Sequence, residues 1–219
     1  MTVSLPDLVL RCVPAVVAGA AVVAADSAWL AAAWAVASRL AYVLFAGISL
    51  YAEDRNRALS RRDGAEAACE KFRQRLWPLI FNDTVAIGAL CIVTRGTLIA
   101  PTPWWFIGAG VVFIVIGVGV KSWAVATIGP GSYYWRDFFL PSENTYCVTG
   151  PYRWLSNPMY TIGYAQAYGF ALALGSAPGL VMAAFAQATI LLLHVLVERP
   201  HFRRLHGIGK AGVVNPSLR

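Results

Sequence analysis

The sequence GPYRWLSNPMY at residues 150–160 separates a polar, aromatic-rich stretch from an apolar segment that begins at Met159. Asn157 followed by Pro158 is typical of a helix start, because an Asn side chain caps free backbone N–H groups and Pro fits the first helical position. A helix that begins here would direct its unpaired N–H groups and its positive dipole end towards the preceding loop. The stretch therefore predicts either a simple capped helix or a place that holds a carboxylate or a phosphate.

The composition of the chain is that of a membrane protein. Of its 219 residues, 58% are hydrophobic and 13% are charged, and only a bilayer can solvate so much apolar surface. Six apolar segments approach the roughly 20 residues that a spanning helix needs. They lie at residues 8–25, 28–51, 77–93, 104–128, 159–175 and 180–197. We therefore predict an all-α, polytopic transmembrane helix bundle of about six spans, with five as the alternative.

Two of the segments have a second interpretation. The first resembles a signal peptide, but Asp7 and the lack of a basic residue before Arg11 favour a retained span. The second contains Arg39 near its middle, which is costly in lipid. Either Arg39 faces the bundle or a wet cavity, or this segment is bent or only partly inserted.

Basic residues predict the orientation of the bundle. Fifteen of the 18 Lys and Arg residues lie in the loop after the second segment, in the region from Lys121 near the end of the fourth segment to the fifth, or in the C-terminal tail. Only Arg95 lies in a loop on the other side, so both termini are expected to be cytoplasmic. We expect residues 1–76 to form N-terminal spans and a basic cytoplasmic linker, with residues 51–76 either as an amphipathic or solvated helix along the cytoplasmic surface or as a solvated loop. Residues 77–219 are expected to form the core, with a site that faces the cytoplasm.

Charge and cysteine placement also limit the partners. The net charge is +7, but the basic residues are distributed as the positive-inside rule expects of a membrane protein. We therefore predict a lipid bilayer as the partner and no nucleic acid. The cysteines are scattered without a Cys-x-x-Cys pair, which argues against a metal site or a disulfide framework.

Three motifs together resemble the integral-membrane methyltransferases that use S-adenosylmethionine. This group contains the phospholipid N-methyltransferases and the isoprenylcysteine carboxyl methyltransferases. The motifs are Gly-Pro-Tyr-Arg followed after three residues by Asn-Pro-Met-Tyr, the Gly-x-Gly of the fourth segment, and Glu198 near the inner end of the sixth. Asn157 stands where the carboxyl-methylating branch usually has His, which favours the phosphatidylethanolamine enzymes. Arg199 departs from the second Glu that those enzymes commonly show.

The resemblance, over roughly residues 117–206, implies which residues bind the cofactor S-adenosylmethionine. Bare backbone at a Gly-x-Gly lets an adenosyl group lie against a helix, although such glycines more often serve helix packing. The implied cofactor-binding residues are Gly117, Gly119, Tyr152, Arg153, Asn157, Pro158, Tyr160, Glu198 and Arg199.

The stretch before the motif predicts a headgroup site. Aromatic faces attract alkylated ammonium groups, and an Arg can hold a phosphate, although the same rings would also suit an interfacial aromatic belt. The expected substrate-binding residues are Tyr133, Tyr134, Trp135, Arg136 and Phe138. An ethanolamine ammonium must lose a proton before it accepts a methyl group, and the candidate catalytic residues are Asp137, Glu143, Glu198 and His201. His194 lies one helical turn before Glu198 and is expected to be a packing residue.

The predicted function is methyl transfer from S-adenosylmethionine to a membrane lipid amine, with phosphatidylethanolamine or its methylated forms as the substrate. One alternative is carboxyl O-methylation of a prenylated cysteine or another amphiphilic acid. The second alternative, from a different class, is a non-enzymatic membrane scaffold or a transporter subunit.

Overall fold

A computed structural model describes residues 9–129, 134–141 and 149–205. Within these residues the chain is helical or irregular, with no β-strand. The predictions for Tyr133 and Glu143 lie outside the described residues. The α-helices are α1 (Val13–Ala25), α2 (Ala28–Asn56), α3 (Ala58–Asp63), α4 (Ala65–Val93), α5 (Trp104–Ile128), α6 (Ala165–Ala173), α7 (Ala177–Leu193) and α8 (Arg199–Leu205).

Four helices of the described part are long and apolar enough to cross a membrane. They are α2, α4, α5 and the continuous helix Ala177–Leu205, in which the π-helical turn His194–Glu198 joins α7 to α8. Within the described residues this confirms the predicted all-α class, and the length and composition of these four helices suit a membrane protein. The first predicted segment forms a helix of only 13 residues, and the fifth is not a single helix. The count of six spans therefore stays a prediction.

Residues 51–76 form the end of α2, the short helix α3 and the first turns of α4, and a position along the membrane surface stays a prediction. Helix α2 continues to Asn56 and α4 begins at Ala65, so both long helices extend beyond their apolar parts. Glu53 explains the tight connection, because its fully buried carboxylate accepts hydrogen bonds from the backbone N–H groups of Leu59 and Ser60. These bonds satisfy two otherwise unpaired donors at the start of α3. The connection between α2 and α4 is thus the short helix α3, whose start is capped by Glu53.

The ends of the helices meet at two opposite faces of the bundle. At one end, Arg57 donates hydrogen bonds to the carbonyls of Phe138 and Phe139, 3.1 and 2.9 Å away. At the other end, the N–H of Gly96 donates to the carbonyl of Leu174 across 3.0 Å. The loop at residues 134–141 therefore lies at the same end as the α2–α4 connection. We call this the loop end.

Helices α5 and α6 pack with their backbones in close contact. A Cβ on Gly169 would lie 2.4 Å from the carbonyl oxygen of Gly110, and a Cβ on Gly117 would lie 2.3 Å from the backbone nitrogen of Gln166. Only glycine allows such an approach. A Cβ on Gly119 would meet nothing within 4 Å, because Gly119 is exposed on another side of α5. Helix packing therefore explains Gly117, and the two glycines of the Gly-x-Gly do not line one common surface.

Candidate functional site

The predicted helix start at Asn157-Pro158 is wrong. The side-chain oxygen of Asn157 does accept a hydrogen bond from the N–H of Tyr160, 3.2 Å away, as a capping residue would. However, the chain then forms a turn and a 3₁₀ segment, Ile162–Tyr164, and α6 begins only at Ala165. No α-helix N-terminus therefore lies at Asn157 to hold an anion.

Gln187 of α7 gives a physical reason for the broken segment. Its side-chain amide donates to the carbonyl oxygens of Tyr160 and Thr161, at 3.0 and 3.3 Å. Those carbonyls would accept intrahelical bonds if an α-helix began at Asn157. The tertiary contact thus competes with local helix formation and keeps residues 157–164 irregular.

Glu198 is the centre of a buried polar cluster. Its side chain is buried, with 4% of the residue exposed. One carboxylate oxygen accepts from the Trp135 indole N–H at 2.5 Å and from the Tyr160 hydroxyl at 2.7 Å. The other lies 2.8 Å from Nδ1 of His194. Three donors around one carboxylate satisfy the buried charge. We call Trp135, Asn157, Tyr160, His194 and Glu198 the Glu198 cluster.

His194 belongs to this cluster and was not predicted to act at the site. An ionised Glu198 can only accept a hydrogen bond, so Nδ1 of His194 carries the proton in that contact. Nε2 of His194 makes no hydrogen bond within the described residues. The spacing of four residues to Glu198 was the sequence signal for this pair.

Trp135 extends from the loop to Glu198 and has an unusual backbone conformation. Its φ of 56° is left-handed, which is rare for a bulky side chain. The indole is nonetheless buried, with 5% of the residue exposed, and packs edge-on against Phe72. Burial and the hydrogen bond to Glu198 offset the cost of this backbone conformation. Trp135 thereby connects the loop at residues 134–141 to the helix that carries Glu198.

A cleft of about 380 Å³ adjoins the Glu198 cluster. Trp135, Met159 and Tyr160 form the wall nearest to the cluster, and the rest of the lining includes apolar side chains such as Ile114 and Val118. Helix α4 packs mainly on α1, α2 and α7, whereas α5 packs on α6, so α4 and α5 hardly touch. The cleft lies between these two helices and is partly open to the outside of the bundle.

Arg39 lies at the inner wall of the cleft. Its guanidinium donates to the Asp83 carboxylate at 2.8 Å, to the Thr189 hydroxyl at 2.9 Å and to the Tyr164 hydroxyl at 2.8 Å. The Ala186 carbonyl accepts a further bond, and only 2% of Arg39 is exposed. The first of the two predicted possibilities is therefore correct, since a full-length helix turns Arg39 towards the bundle.

Two predicted site residues, Phe138 and His201, are engaged elsewhere. Phe138 is completely buried and stacks on His201, with ring centroids 3.8 Å apart, so its ring is not open to a substrate. Nδ1 of His201 lies 2.8 Å from the Asp54 carboxylate, which also accepts a bond from Arg204. His201 thus connects α8 to α2 beside the Glu198 cluster, without a contact to it among the described residues.

The other predicted residues surround the cluster at varying depth. Arg153 is exposed and lies over the Trp154 ring, and Arg136 and Arg199 are exposed as well. Asp137 and Pro158 are buried. Tyr152 and Tyr134 are partly buried, and burial raises the pKa of Tyr134, which keeps its phenol protonated at neutral pH.

Comparison with known proteins shows what this region is similar to. Residues 105–208 match the family model described as phospholipid methyltransferase. A phosphatidylethanolamine N-methyltransferase of Schizosaccharomyces japonicus is 35% identical over 101 residues, which are 46% of this chain and 11% of that protein. One of Saccharomyces cerevisiae is 32% identical over 100 residues, 46% of this chain and 12% of its own length.

The match covers only part of the relatives. A phosphatidylethanolamine N-methyltransferase of Pyrenophora tritici-repentis is 28% identical over 139 residues, which are 58% of this chain and 16% of that protein. The alignments thus span roughly an eighth of the length of these relatives. No solved structure matches the chain.

Proposed function

We propose that this chain, whose residues 105–208 match the phospholipid methyltransferase family model, transfers a methyl group from S-adenosylmethionine to the amine of a membrane phospholipid. The proposed acceptor is phosphatidylethanolamine or one of its partly methylated forms. The observation that carries the proposal is the adjacency of the Glu198 cluster to a cleft that is accessible between α4 and α5. A lipid reaches such a cleft sideways from the bilayer, while the loop end is reached from water.

The Glu198 cluster has the chemistry to hold the methyl donor. S-adenosylmethionine supplies a methyl group on a cationic sulfonium, and a carboxylate beside aromatic rings attracts such a cation. Glu198, Trp135, Tyr160 and Asn157 are the proposed binding residues, with Tyr152, Pro158 and the exposed Arg153 and Arg199 at the rim. Helix packing already explains Gly117, and Gly119 lies on another side of α5, so the present geometry favours the cluster over these glycines.

His194 is the proposed general base. The acceptor amine must lose a proton, and Nε2 of His194 offers a lone pair while Glu198 holds the opposite nitrogen. Asp137 remains a second candidate from the loop. Glu198 serves to orient the imidazole and to balance the positive charge that the ring acquires.

The lining of the cleft suits an amine acceptor better than a carboxylate. The rings of Trp135, Tyr160 and Tyr164 line it, and aromatic faces bind alkylated ammonium groups by about 0.5–2 kcal/mol. Glu198 lies behind two of these rings and attracts a cationic headgroup. The same carboxylate repels the acid that a carboxyl methyltransferase must accept.

The loop end is proposed to face the cytoplasm. Arg55, Arg57, Arg61 and Arg62 lie at this end, beside the α2–α4 connection, and basic residues are retained on the cytoplasmic side. S-adenosylmethionine then enters from the compartment that produces it.

The acceptor is tested by methyl incorporation from labelled S-adenosylmethionine into defined lipids in micelles. We expect transfer to phosphatidylethanolamine and its monomethyl form, and none to a farnesylated cysteine derivative. The two acceptors are offered separately to the same purified preparation, so that folding and donor supply are matched. Labelling of the farnesylated cysteine alone would assign the chain to carboxyl methylation, and labelling of neither would contradict the proposed function.

A further inference from the structure

Lys121 places a positive charge on the wall of the cleft. It lies in α5, seven residues before the end of the helix at Ile128, which puts it about 10 Å inside from that end. Its ammonium lies 5.4 Å from the centre of the Tyr164 ring. Within the described residues it makes no hydrogen bond and no ion pair. A charged group at this depth is costly unless a partner of opposite charge joins it.

The residues around Lys121 do not neutralise it. The charged side chains that line the cleft are Arg39, Asp83 and Lys121. Asp83 is already bound to Arg39 at 2.8 Å, and Arg39 also donates to Thr189, Tyr164 and the Ala186 carbonyl. The lining therefore has a net charge of +1, located at Lys121. Apolar walls strengthen the attraction of this charge for an anion.

We propose that Lys121 binds the phosphodiester of the acceptor phospholipid. This inference rests on the proposed function, because it assigns the phosphate contact of the same cleft. A phospholipid that enters between α4 and α5 passes Ile114 and Val118 and meets the ammonium of Lys121 next. Tyr160 and Trp135 line the same cleft and donate to Glu198. The phosphate at Lys121 thus lets the ethanolamine arm reach towards the Glu198 cluster.

This assignment replaces Arg136 as the phosphate ligand. Arg136 is exposed at the loop end and does not line the cleft. Lys121 does line it and is flanked by Tyr164, whose hydroxyl is fixed by Arg39. Because Tyr164 is already held in place beside Lys121, this wall of the cleft binds a phosphate without further ordering of the chain.

The test measures lipid binding and turnover separately. Wild type, Lys121→Met and Lys121→Arg are purified in detergent, and bound dioleoyl phosphatidylethanolamine is counted by native mass spectrometry against dioleoylglycerol, which lacks the phosphate. Lys71→Met is the matched control, because Lys71 is half-exposed and paired with Asp63 away from the cleft. We expect Lys121→Met to lose phospholipid binding roughly tenfold or more. Lys121→Arg and Lys71→Met are expected to retain it, and binding of dioleoylglycerol is expected to be equal in all four proteins.

The kinetic readout identifies the bound lipid as the acceptor. We expect Lys121→Met to raise the KM for phosphatidylethanolamine and to leave the KM for S-adenosylmethionine unchanged. Unchanged phospholipid binding in Lys121→Met would overturn the inference, as would an equal loss of both lipids or a rise only in the KM for S-adenosylmethionine. If the wild type binds the phospholipid through Lys121 but methylates none, the proposed function fails while the phosphate site stands.

Discussion

Replacing Glu198 with Gln is expected to lower methyl transfer by about 100-fold or more, since one preorganised polar group at a reacting centre has an effect of this size. The amide keeps the shape of the side chain but loses the negative charge. In the wild type, Trp135, Tyr160 and His194 all donate to the carboxylate of Glu198. In the variant, the amide N–H of the new side chain faces at least one of these donors instead of an acceptor. A buried donor then lacks its acceptor, which costs about 1–3 kcal/mol.

The measurement combines turnover with binding of labelled S-adenosylmethionine. Glu66→Gln is the control, because Glu66 is exposed in the first turn of α4 and should leave both values unchanged. Tyr160→Phe removes a single hydroxyl and keeps the Glu198 charge, so it should lower turnover less than Glu198→Gln does. Full turnover and donor affinity in Glu198→Gln would show that the cluster is only a structural contact.

Replacing Arg39 with Met is expected to give the largest loss of stability, about 3–5 kcal/mol, because it leaves the buried Asp83 carboxylate without its partner. The Tyr164 and Thr189 hydroxyls also lose a donor that orders them. Unfolding in mixed detergent micelles measures the loss. Leu40→Met, at the exposed neighbouring position, is the matched control and should change little.

A double variant separates charge from packing. Arg39→Met combined with Asp83→Leu removes both charges, and replacing a buried ion pair by apolar side chains of similar volume is often neutral. We expect it to recover most of the stability that Arg39→Met loses. A double variant less stable than Arg39→Met alone would mean that Asp83 has a role of its own, apart from the ion pair.

The sequence predicted the class of fold and part of the site, and the reasons differ from residue to residue. Long apolar segments are a strong signal because a helix must satisfy its own backbone in lipid. The prediction that Tyr160, Asn157 and Glu198 belong to one site came from the motifs. Their contacts through His194 needed the structure, because a single His on an apolar helix is usually a packing residue.

Tertiary contacts explain the failed predictions. The Asn-Pro signal at residue 157 is local. Gln187, which donates to the carbonyls of Tyr160 and Thr161, lies 27 and 26 residues after them in the chain. No local signal identifies the partner of Arg39 either, because Asp83 lies 44 residues further along the chain. Phe138 looked like a ligand-binding ring because sequence alone does not distinguish an exposed ring from one stacked on His201.

In the proposed reaction, a phospholipid enters between α4 and α5 and is methylated beside the Glu198 cluster. Val118 lines the cleft, whereas the exposed Val115, on the same helix, does not. Methylation of phosphatidylethanolamine by Val118→Trp and Val115→Trp tests this proposal most directly, because the indole fills the cleft only from position 118. We expect Val118→Trp to methylate phosphatidylethanolamine about tenfold or more slowly while it still binds S-adenosylmethionine, and Val115→Trp to match the wild type. Equal methylation of phosphatidylethanolamine by the two variants would contradict lipid entry between α4 and α5.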